Sequence, residues 1–266
     1  MNYSSSASLA QRLLTLWYRH CVTSFFLAGL VFGGIAQAEE FPQNIDGDIG
    51  LGTFYRSRIV PSQTARVSVL PYVYFSYGRA VIRVDTLGVK TGKLGYGYLE
   101  IVGRISQDGF DADTTALAGL NNRRTSIPLG IGTLQVTPIG AFFMNAFHDV
   151  NKSGGNLLEV IYAGKVESSS MTFYPLLGAE YLSKEYVRYY YGVSSLEAAN
   201  SQYPAYQPAG AFNPLLGLTL NAKLTDKYHI NFYLRRRWLS GSVQDSPIVD
   251  RKFLDTGYVA LSYRFN

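Results

Sequence analysis

From about residue 46 onward, apolar and polar side chains alternate along most of the chain. In 216–224, Leu216, Leu218, Leu220, Ala222 and Leu224 share one face, and Gly217, Thr219, Asn221 and Lys223 share the other. In 66–77, Val67, Val69, Val73, Phe75 and Tyr77 oppose Arg66, Ser68, Tyr72, Tyr74 and Ser76. Residues 97–105 set Leu99, Ile101 and Ile105 against Tyr98, Glu100 and Arg104, and the last segment sets Val259, Leu261, Tyr263 and Phe265 against Ala260, Ser262 and Arg264. Successive side chains of a strand point to opposite faces, so a period of two predicts strands with one apolar and one polar side. Such strands are expected near 50–60, 65–77, 79–88, 94–106, 126–136, 137–148, 156–166, 170–182, 209–224, 228–240 and 253–265. Single-chain bacterial barrels have even strand numbers, which makes 185–193 the candidate for a further strand. Twelve strands are expected, with ten as the alternative. The runs Asn151-Lys152-Ser153-Gly154-Gly155 and Thr225-Asp226-Lys227 read as hairpin turns. The polar stretches 107–125, 194–208 and 241–252 read as extracellular loops.

A soluble sandwich alternates in the same way, with its apolar faces turned inward. Three features favour a barrel in a membrane. The apolar faces often finish in Tyr, Trp or Phe, as in the aromatic girdles of membrane barrels. The polar faces carry full charges, namely Arg83, Glu100, Arg104, Glu180, Lys223, Arg235 and Arg237, which suits a hydrogen-bonded lumen. The chain also closes on an aromatic strand, YVALSYRFN. Closure leaves no unpaired backbone edge, the condition for strands to span lipid. The expected fold is therefore all-β, an antiparallel transmembrane β-barrel over residues 39–266.

The phase of one strand exposes a single cation. If Ile230, Phe232 and Leu234 face lipid, then His229, Asn231, Tyr233, Arg235 and Arg237 face the lumen, and Arg236 and Trp238 lie outward. Trp238 and the Ser240-Gly241 that follow mark the exit from the membrane. Arg236 is thus expected at the outer interface, where its fork matches lipopolysaccharide phosphates.

The first residues change the picture of where the chain resides. Arg12 and Arg19 precede an apolar run from Cys21 to Ile35, then Ala36-Gln37-Ala38, and no acid occurs before Glu39. A basic start, a short apolar run and an A-x-A site predict a secretory signal peptide over 1–38. The run is shorter than the roughly 20 residues of a membrane-spanning helix. Cys21 opens the run instead of following it, which argues against lipid attachment. It is also the only cysteine, so residues 39–266 have no disulfide or thiolate metal site. The leader carries two Lys/Arg and no acid, which takes the formal charge from +5 to +3 for the remainder. That is too mild for nucleic acid, and no basic run is present.

Candidate chemistry is sparse. Beyond the leader the histidines are His148 and His229. His148-Asp149 with the Asp111/Asp113 pair superficially resembles the set of an outer-membrane protease, but histidine and aspartate at loop edges are ordinary solvated turn residues. No Ser–His–Asp pattern, paired-histidine spacing or phosphate-cradling glycine loop occurs. No catalytic residue, metal site or cofactor is expected. Glu100 and Arg104 share a strand face and are expected to form part of a structural ion pair. The run Tyr189-Tyr190-Tyr191 reads either as a recognition surface, since tyrosine gives rigid contact area with a polar tip, or as the anchor of the 194–208 loop. Ser246-Pro247 reads as a turn or, less favoured, a partner contact.

The C-terminal third carries a more specific signal. Tyr189-Tyr190-Tyr191-Gly192-Val193-Ser194, then Glu197-Ala198, the loop YPAYQP, Asp245-Ser246-Pro247-Ile248-Val249-Asp250 and the closing Leu261-Ser262-Tyr263-Arg264-Phe265 follow in order. In these segments, strongest over 170–265, the chain resembles the MipA/OmpV family. The resemblance implies an outer-membrane barrel. It implies a scaffold in cell-envelope organisation whose partners are peptidoglycan-processing enzymes, while outer-membrane lipid and lipopolysaccharide are the partners expected from the barrel itself and from Arg236. A small-solute channel is the alternative, and at this strand number the two are hard to separate, because water-filled lumens are secure only at about 16–18 strands.

Overall fold

The computed structural model describes residues 41–265, and the expected leader 1–38 lies outside them. Alternation is realised as twelve antiparallel strands: β1 (Asp46–Arg56), β2 (Arg66–Tyr77), β3 (Ala80–Arg83), β4 (Thr86–Leu94), β5 (Gly97–Arg104), β6 (Leu129–Thr137), β7 (Gly140–His148), β8 (Asn156–Ala163, continued by Val166–Glu167), β9 (Met171–Leu182), β10 (Ala211–Lys223), β11 (Tyr228–Trp238) and β12 (Phe253–Phe265). Each pairs with its sequence neighbours. β12 closes on β1 in unbroken register from Gly47↔Phe265 to Arg56↔Thr256, so the sheet has no free ends.

The expected phases hold. Val67, Val69, Ile101, Leu216, Val259 and Leu261 are exposed on the outer face, while Tyr72, Glu100, Ala260 and Ser262 are buried within. Tyr263 contacts Tyr228 and Phe265 edge-on on the outer face near one mouth, as an aromatic girdle should.

The twelfth strand is not where the aromatic run placed it. Residues 185–193 do not form a strand; most of them lie in a helix, α1 (Lys184–Tyr191). Its Tyr186, Val187, Tyr190 and Tyr191 recur at helical spacing and are all buried. The even count comes instead from 79–88, which is broken by a tight turn at Val84-Asp85 into β3 and the start of β4. Val84 sits at φ 57°, a left-handed conformation that a β-branched residue rarely adopts.

Connections sort by length. Short turns at Gly78-Arg79, Gly95-Tyr96, Pro138-Ile139, 168–170 and 224–227 form one end, and the long segments 57–65, 105–128, 149–155, 183–210 and 239–252 form the other, joined there by the tight turn Val84-Asp85. Short turns face the periplasm and long loops the outside in such barrels. Over the outer mouth the long segments build their own apolar core. Ile59, Val60, Phe110, Leu117, Tyr186, Val187, Tyr190, Tyr191, Val243 and Ile248 pack there, drawn from four loops that no single strand could hold together.

Candidate functional site

The inward faces of the strands carry both signs of charge, and the two signs meet. Near the periplasmic mouth Arg264 on β12 donates to both oxygens of Asp48 on β1, at 2.8 and 3.0 Å. Arg83 on β3 grips Glu100 on β5 through two bonds of 2.6 and 2.7 Å. Higher up, Arg104 (2.8 Å) and Arg235 (3.4 Å) converge on Glu159 of β8. Arg237 donates to Glu180 at 2.6 Å and to Asp108 at 3.1 Å, and Arg56 also pairs with Asp108. Bidentate and charge-assisted bonds of this kind are the strong ones, and every carboxylate in the set is close to buried. Between these pairs lie aromatic rings: Tyr258 stacks on Tyr233 and meets Phe54 and Tyr72 at a tilt, at centroid distances of 5.2 to 5.5 Å.

The sequence-derived lumen charges are therefore mostly inward, with different partners from those their strand positions suggest. Glu100 and Arg104 do not pair with each other, because Arg83, two strands away on β3, and Glu159, three strands away on β8, reach them within the lumen at 2.6 and 2.8 Å. Lys223 is not a lumen charge in practice. It stands half exposed at the periplasmic rim beside Asp226, at 2.7 Å. Alternation alone missed Asp48 and Glu159. Both occupy inward positions of their strands and complete the pairing.

Above the lumen, Asp108 ties loop to wall. Besides the two arginines it accepts the Tyr186 hydroxyl at 2.9 Å, and that hydroxyl lies 2.5 Å from Ser106 Oγ. Burial alone would push the Asp108 carboxyl up, but the Arg237 and Arg56 guanidiniums outweigh it and hold the group well below the usual carboxylate range. A second tie is made by Ser194-x-x-Glu197, which forms a capping box at the start of α2 (Ser195–Asn200). Glu197 also pairs with Arg123 at 2.8 Å and accepts the Asn121 backbone N–H at 3.0 Å. Against the effect of burial, the backbone N–H groups and Arg123 bring its pKa down to about 2.

The tyrosine run belongs to this cap. Tyr190 and Tyr191 are wholly buried in its core, and Tyr189 packs edge-on against Tyr190 with its hydroxyl accepting the Arg124 N–H. A recognition surface would need these rings at the exterior, and the cap's own apolar packing draws them in. Ser246 is buried too, donating its hydroxyl to the Tyr191 carbonyl at 2.6 Å, one of the carbonyls left open at the end of α1. With Pro247 it shapes the turn that follows α3 (Gly241–Gln244).

Arg236 does face outward near the outer mouth, beside Trp238. Its fork is occupied: Nε and NH2 donate to the two Asp255 oxygens at 2.8 and 2.9 Å, and the guanidinium lies over Phe253 at 4.0 Å. The Asp255 pairing takes two of the five N–H donors of the guanidinium, so a phosphate there would have to share it with that carboxylate. The titratable residues weighed for catalysis are dispersed. His148 bonds to Asn156 at the outer end, His229 bonds to Asn221 near the periplasmic end, and Asp149 accepts the N–H groups of residues 151, 152 and 153 within its own turn.

Comparison with known proteins fits this architecture. A family model described as MltA-interacting protein MipA matches residues 49–265. The chain is 24% identical over 156 residues to the MltA-interacting protein of Escherichia coli, which covers 58% of this chain and 63% of that protein, somewhat under two thirds of its length. Outer membrane protein Omp26La of Vibrio anguillarum is 24% identical over 249 residues, covering 86% of this chain and 93% of its own. Outer membrane protein OmpV of Vibrio cholerae is 28% identical over 143 residues, covering 53% of this chain and 55% of its own.

Proposed function

Because the chain belongs to the MltA-interacting protein MipA family and is an outer-membrane β-barrel, we propose that it is a non-catalytic envelope scaffold that holds a peptidoglycan-processing enzyme at its periplasmic end. The observation that carries this is the state of the lumen. Most of its inward charges are spent on one another, while the buried Lys90 turns instead to Ser76 and the Gly78 carbonyl, and its outer mouth bears a packed cap with an apolar core. A conduit needs a wetted path from mouth to mouth, whereas a platform needs only a rigid wall and an accessible rim. The partner class comes from the name of the E. coli relative, since fold does not fix function.

Two measurements test it together. In planar bilayers the purified barrel is expected to give no steady stepwise conductance, and in detergent it is expected to retain a lytic transglycosylase from the same cell. Steady conductance rising with salt concentration assigns the channel function instead. Failure to retain the enzyme, with the barrel shown to be folded, removes the scaffold.

A further inference from the structure

The barrel wall has a window. β3 is four residues long, and it pairs with β2 only from Tyr74 to Tyr77. Above that, Val84 donates its N–H to the Val73 carbonyl, and the hairpin then turns back. The upper part of β2, from Arg66 to Tyr72, pairs with β1 alone among the described residues. Alternate residues of a strand present their backbone groups to the same edge, so Pro71, Val69 and Val67 turn theirs, like Val73, towards the gap. Loop residues close the window from above: Arg58 donates to the Gly109 carbonyl, Gln63 to that of Asp111, and Arg56 pairs with Asp108.

The exposure of an inward-facing residue marks the opening. Outward-facing Val69 is 71% exposed, as a lipid-facing residue should be, yet inward-facing Leu70 is 43% exposed, whereas its inward neighbour Tyr72 is 4% exposed. Register also sets the depth. Pro71, Val69 and Val67 lie opposite Leu51, Thr53 and Tyr55 of β1, which climb the outer face from the apolar belt to an exposed tyrosine. An unpaired N–H within hydrocarbon costs several kcal/mol. The deepest unpaired position is Pro71, which has no N–H to leave unsatisfied.

The rim of the window is cationic. Arg66 is exposed, stands opposite Arg56, and has no carboxylate within ion-pair distance among the described residues. Arg58 bonds only a neutral carbonyl. Burial and the charges of Arg56 and Arg66 lower its pKa, with Asp111 and Asp113 opposing from the adjoining loop without reaching it. Arg56 itself is taken by Asp108. Two guanidiniums without acidic partners thus sit above the gap left by Val67, Val69 and Pro71, beside the top of the β3–β4 hairpin where Ile105 donates to the Asp85 carbonyl.

We propose that this window binds a phosphate-bearing lipid of the surrounding outer leaflet, with one acyl chain in the gap and its anionic headgroup on Arg58 and Arg66. The site is independent of any partner enzyme at the periplasmic end.

The test places a fluorophore on Val69→Cys, in a Cys21→Ser background, with the full chain in phosphatidylcholine vesicles. Phosphatidic acid or phosphatidylcholine, each carrying brominated chains, is added as quencher at equal mole fraction. Phosphatidic acid is expected to quench with about tenfold higher apparent affinity, the scale of one or two charge-assisted hydrogen bonds. Arg58→Gln with Arg66→Gln is expected to abolish that preference. Arg236→Gln should leave it intact, and a label on Val160→Cys, on the outer face of β8 at the far wall, should show none. Heat-modifiable gel migration confirms that each variant is folded. Equal quenching by the two lipids, or a preference that survives the double variant, overturns the site. Quenching by free brominated fatty acid but not by the vesicle lipid overturns the assignment to a membrane lipid.

Discussion

A residue's environment in this barrel decides what its loss costs. Glu159 is nearly buried and holds two guanidiniums, Arg104 and Arg235. Glu159→Gln strands both charges in the lumen, and breaking a buried pair by removing one partner costs about 3–5 kcal/mol. Urea-dependent refolding into vesicles is expected to show that loss. Glu167→Gln breaks a pair in which both groups are half exposed or more and is expected to shift the midpoint negligibly. Val84 offers the opposite sign. Left-handed backbone costs an L-residue about 1–2 kcal/mol, and asparagine tolerates it best after glycine. Val84→Asn is therefore expected to raise stability by about 1 kcal/mol in the same titration. An unchanged or lowered midpoint shows that the Val84 side chain contributes packing that outweighs its backbone strain. At this scale the sequence showed which way most charges point, because the phase of a strand fixes its faces. It could not show partners, since Glu100 finds Arg83 and Arg104 finds Glu159 only when strands distant in sequence curve round one lumen.

At the scale of elements, the long strands were legible and the short ones were not. β10 and β12 each run 13 residues with the expected phase, long enough for a period of two to stand out. β3 has four residues and its turn, Val84-Asp85, lacks the glycine or asparagine that marks a hairpin. The window was therefore invisible to sequence reading, as were Arg58 and Arg66 at its rim. α1 was misread because tyrosine favours strands, although its buried positions recur as a helix requires. Strand phase makes a sharp prediction on β12. Leu261 is 55% exposed on the apolar belt, and an arginine there is expected to cost about 2–4 kcal/mol. Ser262 is buried and accepts the Asn231 amide at 2.7 Å, so an arginine at this position is not the mild control that a roomy lumen would allow. Ser262→Ala is the better comparison. Gel migration after heating should report a folded barrel for Ser262→Ala and a depleted one for Leu261→Arg. Equal outcomes overturn the phase assigned to the strand.

For the molecule as a whole, wall and cap are separable in acid. The Asp108 and Glu197 carboxyls are depressed in the folded state, so their stabilisation is present above the ordinary carboxylate range. It is lost as pH falls through the folded values, for Glu197 from about 4.5 to about 2. Protease cleavage within 105–128 and 183–210 is expected to rise across that interval while the strands stay protected. Simultaneous loss of both indicates that the cap is not an independent layer. The seam between first and last strands has a consequence of a different kind. Asp48 and Arg264, which clasp across it, are 216 positions apart, so ring closure joins the two most remote parts of the chain, and contacts of such separation are slow to form. Biogenesis therefore has a point of commitment at its very end. Until β12 has been translated and delivered, β1 and β11 each present an open edge to other chains, and a chain cut short before residue 253 has no route to a closed ring.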